Sequence, residues 1–191
     1  MEILQNVMSL EKQGGVQKVY IAKPTKGLQG KGIFLFRTFE SLLAKKKGKE
    51  YVVQEYISDP LLIEKKKFDV RLYVLITCLS PLTAYICNEG MCRLCTSEYQ
   101  KPSKTNMKNS FVHLTNYSLN KKSMKYEIPE IWEEIGTTGS KRTFSFVMDY
   151  LKKEGHNTEL LWEEIKDLTR MLLVSINPFL IFEFDCAFKD N

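Results

Sequence analysis

The stretch Lys67-Phe68-Asp69-Val70-Arg71-Leu72-Tyr73 decides the fold that we expect for this chain. Side chains alternate along a β-strand, so the charged side chains of this stretch share one face and the apolar ones share the other. The apolar run continues to Leu79, which predicts a long strand with a buried face. Charges on such a strand are costly to bury unless they are paired, so either a charged ligand or an internal ladder of ion pairs is expected.

Composition indicates a globular chain with a moderate basic excess. Of its 191 residues, 43% are hydrophobic, enough for the core of one domain or two small ones. Lysine and arginine total 28 against 23 acidic residues, and the net charge of +5 favours an acidic partner: a protein tail, RNA or an anionic membrane. No apolar stretch approaches the length that spans a bilayer and no signal peptide is recognisable, so a cytoplasmic location is expected.

The five cysteines predict reduced thiols in the core rather than disulfides, because they are an odd set and mostly lie within apolar runs. Cys92 and Cys95 form a Cys-x-x-Cys pair. A separation of three along a strand directs their side chains to opposite faces, and the chain has only two histidines. A zinc site is therefore not expected.

A glycine-rich loop near the N-terminus is flanked by two strand signals, at 19–22 and 33–36. The loop, Lys23–Gly32, contains three glycines and three lysines. Backbone amides beside glycine can approach phosphates closely, and the lysines supply positive charge. Its spacing matches neither a P-loop nor a dinucleotide-binding fingerprint, so a solvated hairpin loop remains an alternative.

The rest of the chain predicts antiparallel strands followed by helices. A helix capped by Thr38 is expected over 39–47, a loop over 99–110, and strands over 51–57, 68–79, 83–87 and 91–96, with a turn at 88–90. Helices are expected over 142–153 and from Thr158 to about Ser175. Asn177-Pro178 predicts a break before a final buried strand, 179–184, that ends at Asp185.

The block His113-Leu114-Thr115-Asn116-Tyr117-Ser118 places five polar-capable side chains around one leucine. Such polar density is unusual in a core strand and in a solvated loop, and it is typical of a hydrogen-bonded site.

The chain resembles the tubulin tyrosine ligase-like family in a series of sequence blocks, which occur here in the same order as in that family. The blocks are Ile21-Ala22-Lys23-Pro24, Gln29-Gly30-Lys31-Gly32-Ile33, Gln54-Glu55-Tyr56-Ile57, Lys67–Tyr73 and His113–Ser118. Gly139-Ser140-Lys141-Arg142-Thr143-Phe144-Ser145 is most similar to the polyglutamylase branch. The resemblance implies an α+β, ATP-grasp-like fold, an antiparallel sheet core with flanking helices, incomplete at both ends. Residues 1–58 would be part of the central subdomain with the grasp loop, and 59–191 the C-terminal subdomain, truncated before the final metal-binding motif.

The resemblance also implies a function, that of a ligase which joins glutamate to the acidic tails of tubulin through an acyl phosphate. Its cofactors would be ATP and Mg²⁺, and its partners free L-glutamate and tubulin or microtubules, with no nucleic acid and no membrane. Its location would be the cytoskeleton, including cilia or basal bodies. The alternative is an inactive fragment that binds nucleotide or tubulin tails, because the family's last metal-binding Glu and Asn have no match here.

Carried over residue by residue, the resemblance implies two sets of ligand contacts. Lys23 and Lys67 would contact the phosphates of the nucleotide, and the loop residues Gln29, Gly30, Lys31 and Gly32 would fold over them. The adenine base would be held by Gln54, Glu55, Tyr56 and Ile57. Asp69 would lie at the ribose, and Thr115 and Asn116 would also face the nucleotide. Carboxylates of the tail or of glutamate would be held by Arg71, Arg93, Tyr117 and Lys141. Catalysis would fall to Lys67, Arg71 and Asp185. Asp185 would bind the metal, although Glu183 could fill a neighbouring position of the motif and a carboxylate without a metal role is the alternative.

Overall fold

The computed structural model describes residues 18–46, 48–128 and 136–188. Its strands are β1 (Tyr20–Pro24), β2 (Phe34–Phe36), β3 (Tyr51–Glu55), β4 (Leu62–Ile63), β5 (Lys66–Leu79), β6 (Leu82–Leu94) and β7 (Lys141–Thr143). Its helices are α1 (Phe39–Lys46), α2 (Ser110–His113), α3 (Tyr117–Asn120), α4 (Phe144–Lys153) and α5 (Thr158–Phe188). β1 pairs antiparallel with β2 and β3, and β4 pairs antiparallel with β5. The predicted α+β class is confirmed.

The described residues fall into two compact units. Unit 1 comprises the residues up to Asp69 and those from Arg93 to Ile128, and unit 2 comprises Val70–Cys92 and the described residues after Ile128. The boundary therefore lies within β5 and β6. The division at residue 58 that the sequence suggested stays a prediction.

The sheet of unit 1 has the strand order β2-β1-β3 and carries apolar side chains on both faces. On one face, residues of β1 and β2 pack with α1: Tyr20, Ala22, Phe36 and Leu42. On the other face lie Val19, Ile21, Leu35, Tyr56 and Leu114. Burying each large side chain contributes about 1.5–3 kcal/mol. Lys23 follows Ile21 by two positions, so it belongs to the second face, at the polar end of β1.

The boundaries of the first helix match the sequence-based prediction closely. Thr38 Oγ1 accepts a hydrogen bond from the Ser41 amide at 3.3 Å, which satisfies one of the free donors at the start of α1. The cap predicted at Thr38 is confirmed.

The turn predicted at 88–90 is wrong, because β6 runs through it without interruption from Leu82 to Leu94. The chain reverses instead between β5 and β6, at Ser80 and Pro81. A Cβ on Gly90 would lie 2.4 Å from the carbonyl oxygen of Arg71. The glycine therefore permits close approach of two strands, which is another common reason for glycine within a strand.

The strand predicted at 179–184 is also wrong, because α5 continues through Pro178 to Phe188. A short apolar run after a proline fits either a strand or a helix by pattern alone. The rings of Phe184 and Phe188, four residues apart, have centroids 4.8 Å from each other, as helical spacing allows. Asp185 therefore lies within a helix and not at the end of a strand.

Helix α5 is apolar over much of its length, and none of its residues is buried. Its most apolar 18-residue window has a mean hydropathy of 1.6, so by length and composition the helix could cross a membrane. The expectation that no segment is long enough is therefore wrong. The same composition also suits a helix that is covered by other protein.

All five cysteines are free, as expected, but only Cys92 and Cys95 are buried. Cys78, Cys87 and Cys186 are exposed, so the expectation of mostly core thiols is wrong for these three. Apolar neighbours in the sequence do not bury a thiol when the opposite face of the strand or helix carries the packing.

Candidate functional site

Two lysines approach the same region of unit 1. Lys67, near the start of β5, donates from Nζ to the Tyr56 hydroxyl at 2.9 Å, and Nζ lies 4.1 Å from the centre of the tyrosine ring. Lys23, on β1, donates to Gln54 Oε1 at 2.9 Å. Burial lowers the pKa of Lys67, and the positive charge of Lys23 lowers it further, while Cys95 and Asp69 act to raise it. An anion between the two ammonium groups would relieve this repulsion.

A carboxylate and a guanidinium form a half-buried pair beside Lys67. Arg93 Nε lies 3.1 Å and 3.2 Å from the two carboxylate oxygens of Asp69, and Nη2 also donates to Oδ2. The hydrogen bonds to Asp69 raise the pKa of Arg93. The pair is one rung of the ion-pair ladder that the alternation of charges suggested. Because Asp69 and Arg93 bind each other, the ligand contacts predicted for each of them would have to compete with this ion pair.

The glycine loop and the polar block are joined in unit 1. Ser118 Oγ donates to the carbonyl oxygen of Gln29 at 2.5 Å. Gly30 has a φ of 81°, and a Cβ there would lie 2.8 Å from Cγ and Oδ1 of Asn116. The missing side chain at position 30 therefore lets the loop lie this close to the start of α3. Lys31 and Gly32 are exposed on the same loop.

The segment Gln54–Ile57 leaves the sheet at an edge, because β3 is an outer strand of the order β2-β1-β3. The backbone amide of Tyr56 donates to the carbonyl oxygen of Val19 at 2.8 Å. The N–H of Tyr56 therefore points toward the strand β1, which begins at the next residue after Val19. Backbone groups alternate in direction along a strand, so those of Glu55, the last residue of β3, point away from β1, and Ile57 follows two residues after the strand ends. The Tyr56 side chain is buried, whereas Gln54, Glu55 and Ile57 are exposed.

The Tyr56 ring also meets the polar block. Its hydroxyl oxygen lies 3.2 Å from His113 Nδ1, and the two rings meet edge-on with centroids 5.7 Å apart. Burial raises the pKa of Tyr56 well above its usual range. Burial and the positive charge of Lys67 lower the pKa of His113 to about 4, so this imidazole is neutral at pH 7.

The other candidate residues of unit 1 lie near the polar block. Thr115 and Asn116 are half-buried, and Asn116 is the N-cap of α3, where its side chain makes no capping hydrogen bond. The ring of Tyr117 is exposed, stacks edge-on with Tyr126 and has Lys121 Nζ 5.3 Å from its centre.

Three candidate residues belong to unit 2. Arg71 is exposed on β5, with its guanidinium carbon 5.4 Å from the centre of the Tyr73 ring. Lys141 is exposed at the start of β7. Asp185, on α5, lines an apolar groove of about 750 Å³ together with residues of β5 such as Ile76 and Leu79. The largely apolar lining of this groove does not suit a nucleotide phosphate.

Magnesium needs oxygen ligands in near-octahedral geometry, usually one or two carboxylates together with phosphates and water. Within the described ranges, no group of three or more histidine, cysteine, aspartate or glutamate side chains could hold a metal ion. The carboxylate of Asp69 is paired with Arg93, and Asp185 lines a groove that is largely but not wholly apolar. A magnesium ion held by one or two carboxylates and by phosphates needs no such group, and the metal role of Asp185 stays a prediction.

Sequence reasoning missed Asn120, whose buried amide joins the end of β6 to the polar block. Its Oδ1 accepts from the amide and hydroxyl of Thr96 at 2.9 Å and 3.1 Å, and its Nδ2 donates to Leu114 at 2.7 Å and to Asn116 at 3.2 Å. The polar density of the block was a signal for such a network. Nothing in the pattern indicated Thr96 as the partner, because the contact spans 24 positions.

Sequence reasoning also missed Glu89 in unit 2. Its Oε1 accepts from the amides of Gly90, Phe144 and Ser145, and its Oε2 accepts from the Ser145 hydroxyl at 2.6 Å. A carboxylate at the N-terminus of α4 satisfies free donors and complements the helix dipole.

Unit 1 is therefore an α+β unit in which Lys23 and Lys67 contact residues of the edge segment Gln54–Ile57, and the glycine loop contacts the polar block. The chain belongs to the tubulin-tyrosine ligase family, whose family description matches residues 1–186. The predicted resemblance is confirmed.

The relatives with similar sequences are named as tubulin polyglutamylases. The chain is 37% identical over 174 residues to human "Tubulin polyglutamylase TTLL6", a match that covers 91% of this chain and 18% of the relative. It is 42% identical over 161 residues to mouse "Tubulin polyglutamylase TTLL11", covering 83% and 22%. It is 36% identical over 181 residues to the "Probable beta-tubulin polyglutamylase" of Tetrahymena thermophila, covering 95% and 15%. The chain thus spans about a fifth of the length of the curated relatives it matches.

Proposed function

We propose that this chain carries the nucleotide-binding part of an ATP-grasp-like ligase that joins glutamate to the acidic tails of tubulin. One observation carries the proposal: Lys23, Lys67 and the edge segment Gln54–Ile57 gather in unit 1 around a region suited to an anion. The names of the relatives supply the substrate class, which the geometry of the site does not specify.

The adenine base would pair with the outer edge of β3. There the Glu55 carbonyl can accept a hydrogen bond from the adenine amino group, and the Ile57 amide can donate one to a ring nitrogen. The Glu55 carbonyl points away from β1, because the neighbouring Tyr56 amide donates to the Val19 carbonyl, and Ile57 follows two residues after the end of β3. Such readout depends on strand geometry and needs no specific side chain at position 55 or 57.

The triphosphate would lie between the two lysines and under the glycine loop. Lys23 and Lys67 supply compact positive charges, and the amides of Gln29–Gly32 can donate to phosphate oxygens. Asp69 would approach the ribose and Thr115 and Asn116 the nucleotide. Bound phosphate would give Lys67 a stronger partner than the Tyr56 hydroxyl, which is neutral.

The reaction would proceed in two displacements. A carboxylate oxygen of the tubulin tail attacks the γ-phosphorus of ATP, the bond to the bridging oxygen breaks and ADP leaves. The amino group of free glutamate, after its ammonium form has lost one proton, then attacks the acyl carbon. Phosphate leaves with the bonding electrons, and the nitrogen loses a second proton to give an amide that keeps one N–H. Alignment and positive charge around the transferred phosphoryl group lower the barrier, and no side-chain nucleophile is needed.

Arg71, Arg93, Tyr117 and Lys141 would hold the carboxylates of the tail and of glutamate. A guanidinium has five N–H donors, and the pair with Asp69 engages Nε and Nη2 of Arg93. Its Nη1 can still donate to a substrate carboxylate, so the ion pair orients the arginine for that role. The net charge of +5 also favours acidic tails over other protein surfaces.

A second candidate function is binding without turnover, in which the chain holds nucleotide or an acidic tail but forms no amide. The observation that favours it is the position of Asp185, the predicted metal ligand, which lies within a helix and lines a largely apolar groove. Phosphoryl transfer from ATP generally depends on bound metal ions.

The test is incorporation of labelled glutamate into microtubules in the presence of ATP and magnesium. We expect incorporation that requires ATP and that falls at least about tenfold in Lys67→Ala, while the exposed Lys125→Ala control retains it. ATP binding without incorporation would favour the second candidate. Incorporation that is equal with and without ATP, or equal in Lys67→Ala and the control, would refute the proposed ligase.

A further inference from the structure

A chain of hydrogen bonds leads from the backbone of the loop before α2 to the ammonium group of Lys67. Asn106 Oδ1 accepts from the Ser103 amide at 2.8 Å, and Asn106 Nδ2 donates to the Lys101 carbonyl at 3.0 Å. These two backbone partners determine which end of the amide is the oxygen. That oxygen lies 3.3 Å from His113 Nε2, so the proton of the neutral imidazole is on Nε2.

The tautomer of His113 then sets the direction of the remaining hydrogen bonds. Unprotonated Nδ1 is an acceptor, and it lies 3.2 Å from the Tyr56 hydroxyl, which can donate to it. The Tyr99 hydroxyl, whose own proton goes to the Ser58 carbonyl at 2.8 Å, is a second acceptor beside Tyr56. The Tyr56 oxygen keeps its lone pairs for the Lys67 ammonium at 2.9 Å. In the series Asn106, His113, Tyr56 and Lys67, the acceptor that each group offers thus determines where the next group donates its proton.

The surroundings of His113 keep it neutral. The residue is 2% exposed, and its ring meets the rings of Tyr56 and Tyr99 edge-on. The cationic groups near it are Lys67 and, beside a small cavity of about 160 Å³, Lys45 and Lys108. A protonated imidazole would carry a hydrogen on Nδ1, which faces a hydroxyl that could no longer donate to it, and would add a further positive charge beside Lys67.

We propose that His113 is a positioning residue for Lys67: through the Tyr56 hydroxyl, it holds the ammonium group where the phosphates of the nucleotide bind. The phosphate half of this statement rests on the proposed function. Tyr56 also belongs to the segment whose backbone would bind adenine. The same residue therefore connects the two ends of the nucleotide site, and His113 fixes its hydroxyl.

The test compares substitutions that keep or remove the acceptor of His113. His113→Asn places an oxygen near the position of Nδ1, whereas His113→Leu removes the acceptor at a similar volume. Lys67 reactivity toward an amine-acylating reagent, mapped by mass spectrometry relative to exposed Lys125, reports its position without any ligand. ATP binding by calorimetry reports the effect on the site.

In His113→Leu we expect Lys67 to be acylated at least about threefold faster and ATP to bind about tenfold more weakly, as loss of one charge-assisted contact allows. His113→Asn should stay within about twofold of the wild type in both measurements. In a Tyr56→Phe background, His113→Leu should have no further effect, because the two residues act through one hydroxyl.

Acylation of Lys67 at the same rate in the wild type and in His113→Leu, or additive effects in the double variant, would overturn the positioning role, whether or not ATP binds. If the wild type binds no ATP but Lys67 responds as expected, the proposed function fails and the positioning chain stands. If His113→Leu does not fold, Tyr56→Phe, which keeps the imidazole, must show the faster acylation, and an unchanged rate there overturns the proposal.

Discussion

Asn120 offers a direct test of how unit 1 is held together. Its side chain is 1% exposed and makes four hydrogen bonds, two to the amide and hydroxyl of Thr96 and two to the carbonyls of Leu114 and Asn116. Asn120→Ala removes all four and leaves the Thr96 amide and the Leu114 carbonyl buried without these partners. Each unsatisfied backbone group costs about 1–3 kcal/mol, so we expect the free energy of opening of unit 1 to fall by about 3 kcal/mol.

Amide hydrogen exchange is the suitable assay, because it reports the opening of unit 1 separately from unit 2. A loss of about 3 kcal/mol corresponds to roughly a hundredfold faster exchange, which should be seen at the Leu114 amide as well as at Thr96. Asn120→Asp keeps an acceptor but loses both donors, so it should be at least as destabilising, whereas exposed Asn88→Ala should change nothing. Exchange in Asn120→Ala within about twofold of the wild type would refute the reasoning.

Three further substitutions test other close contacts. Gly90→Ala would place a Cβ 2.4 Å from the Arg71 carbonyl oxygen, so thermal unfolding should show unit 2 destabilised by about 1–3 kcal/mol; an unchanged midpoint would count against this strand spacing. Gly30→Ala combines a φ of 81° with a clash against Asn116, so unit 1 should lose about 1–2 kcal/mol of stability and calorimetry should show weaker ATP binding. Unchanged ATP binding in this variant would separate the loop from the site. Partial burial acts to raise the pKa of Glu89, but its hydrogen bonds outweigh this and lower the pKa. The stability that this carboxylate contributes above about pH 4.5 should therefore be lost as the pH falls through the folded-state pKa. Urea titrations of Glu89→Gln should lack this part of the pH dependence, and a pH profile identical to that of the wild type would contradict the prediction.

Much of the local structure could be predicted from sequence because the signals were themselves local. Alternation along Lys67–Tyr73 predicted the long strand β5, and Thr38 predicted the start of α1. The buried face expected of β5 is wrong, because none of its residues is buried. The two secondary-structure elements predicted incorrectly, the turn at 88–90 and the strand at 179–184, each depended on a glycine or a proline, which occur in more than one kind of local structure. Glycine at position 90 could make a turn or allow two strands to approach, and the structure shows the second. Proline at position 178 could end the helix or lie within it.

The candidate site was predictable only as a set of blocks, since its contacts join distant parts of the chain. The resemblance named Asp69 and Arg93 as separate ligand contacts, and the structure pairs them across 24 positions. His113 belongs to the polar block that the sequence indicated as a hydrogen-bonded site. Its proposed role depends on contacts with Asn106 and Tyr56, which no sequence pattern predicts. Hydrogen-bond direction in such a network follows from three-dimensional contacts and not from residue type.

The central claim is that Lys23 and Lys67 together bind the phosphates of a nucleotide, and comparison of ATP with adenosine by calorimetry tests it most directly. We predict that Lys67→Ala and Lys23→Ala each weaken ATP binding by about tenfold or more and leave adenosine binding unchanged, since only the phosphates meet the ammonium groups. Lys125→Ala, which removes an exposed lysine, should affect neither ligand. Equal ATP affinity in all three variants and the wild type would contradict the claim.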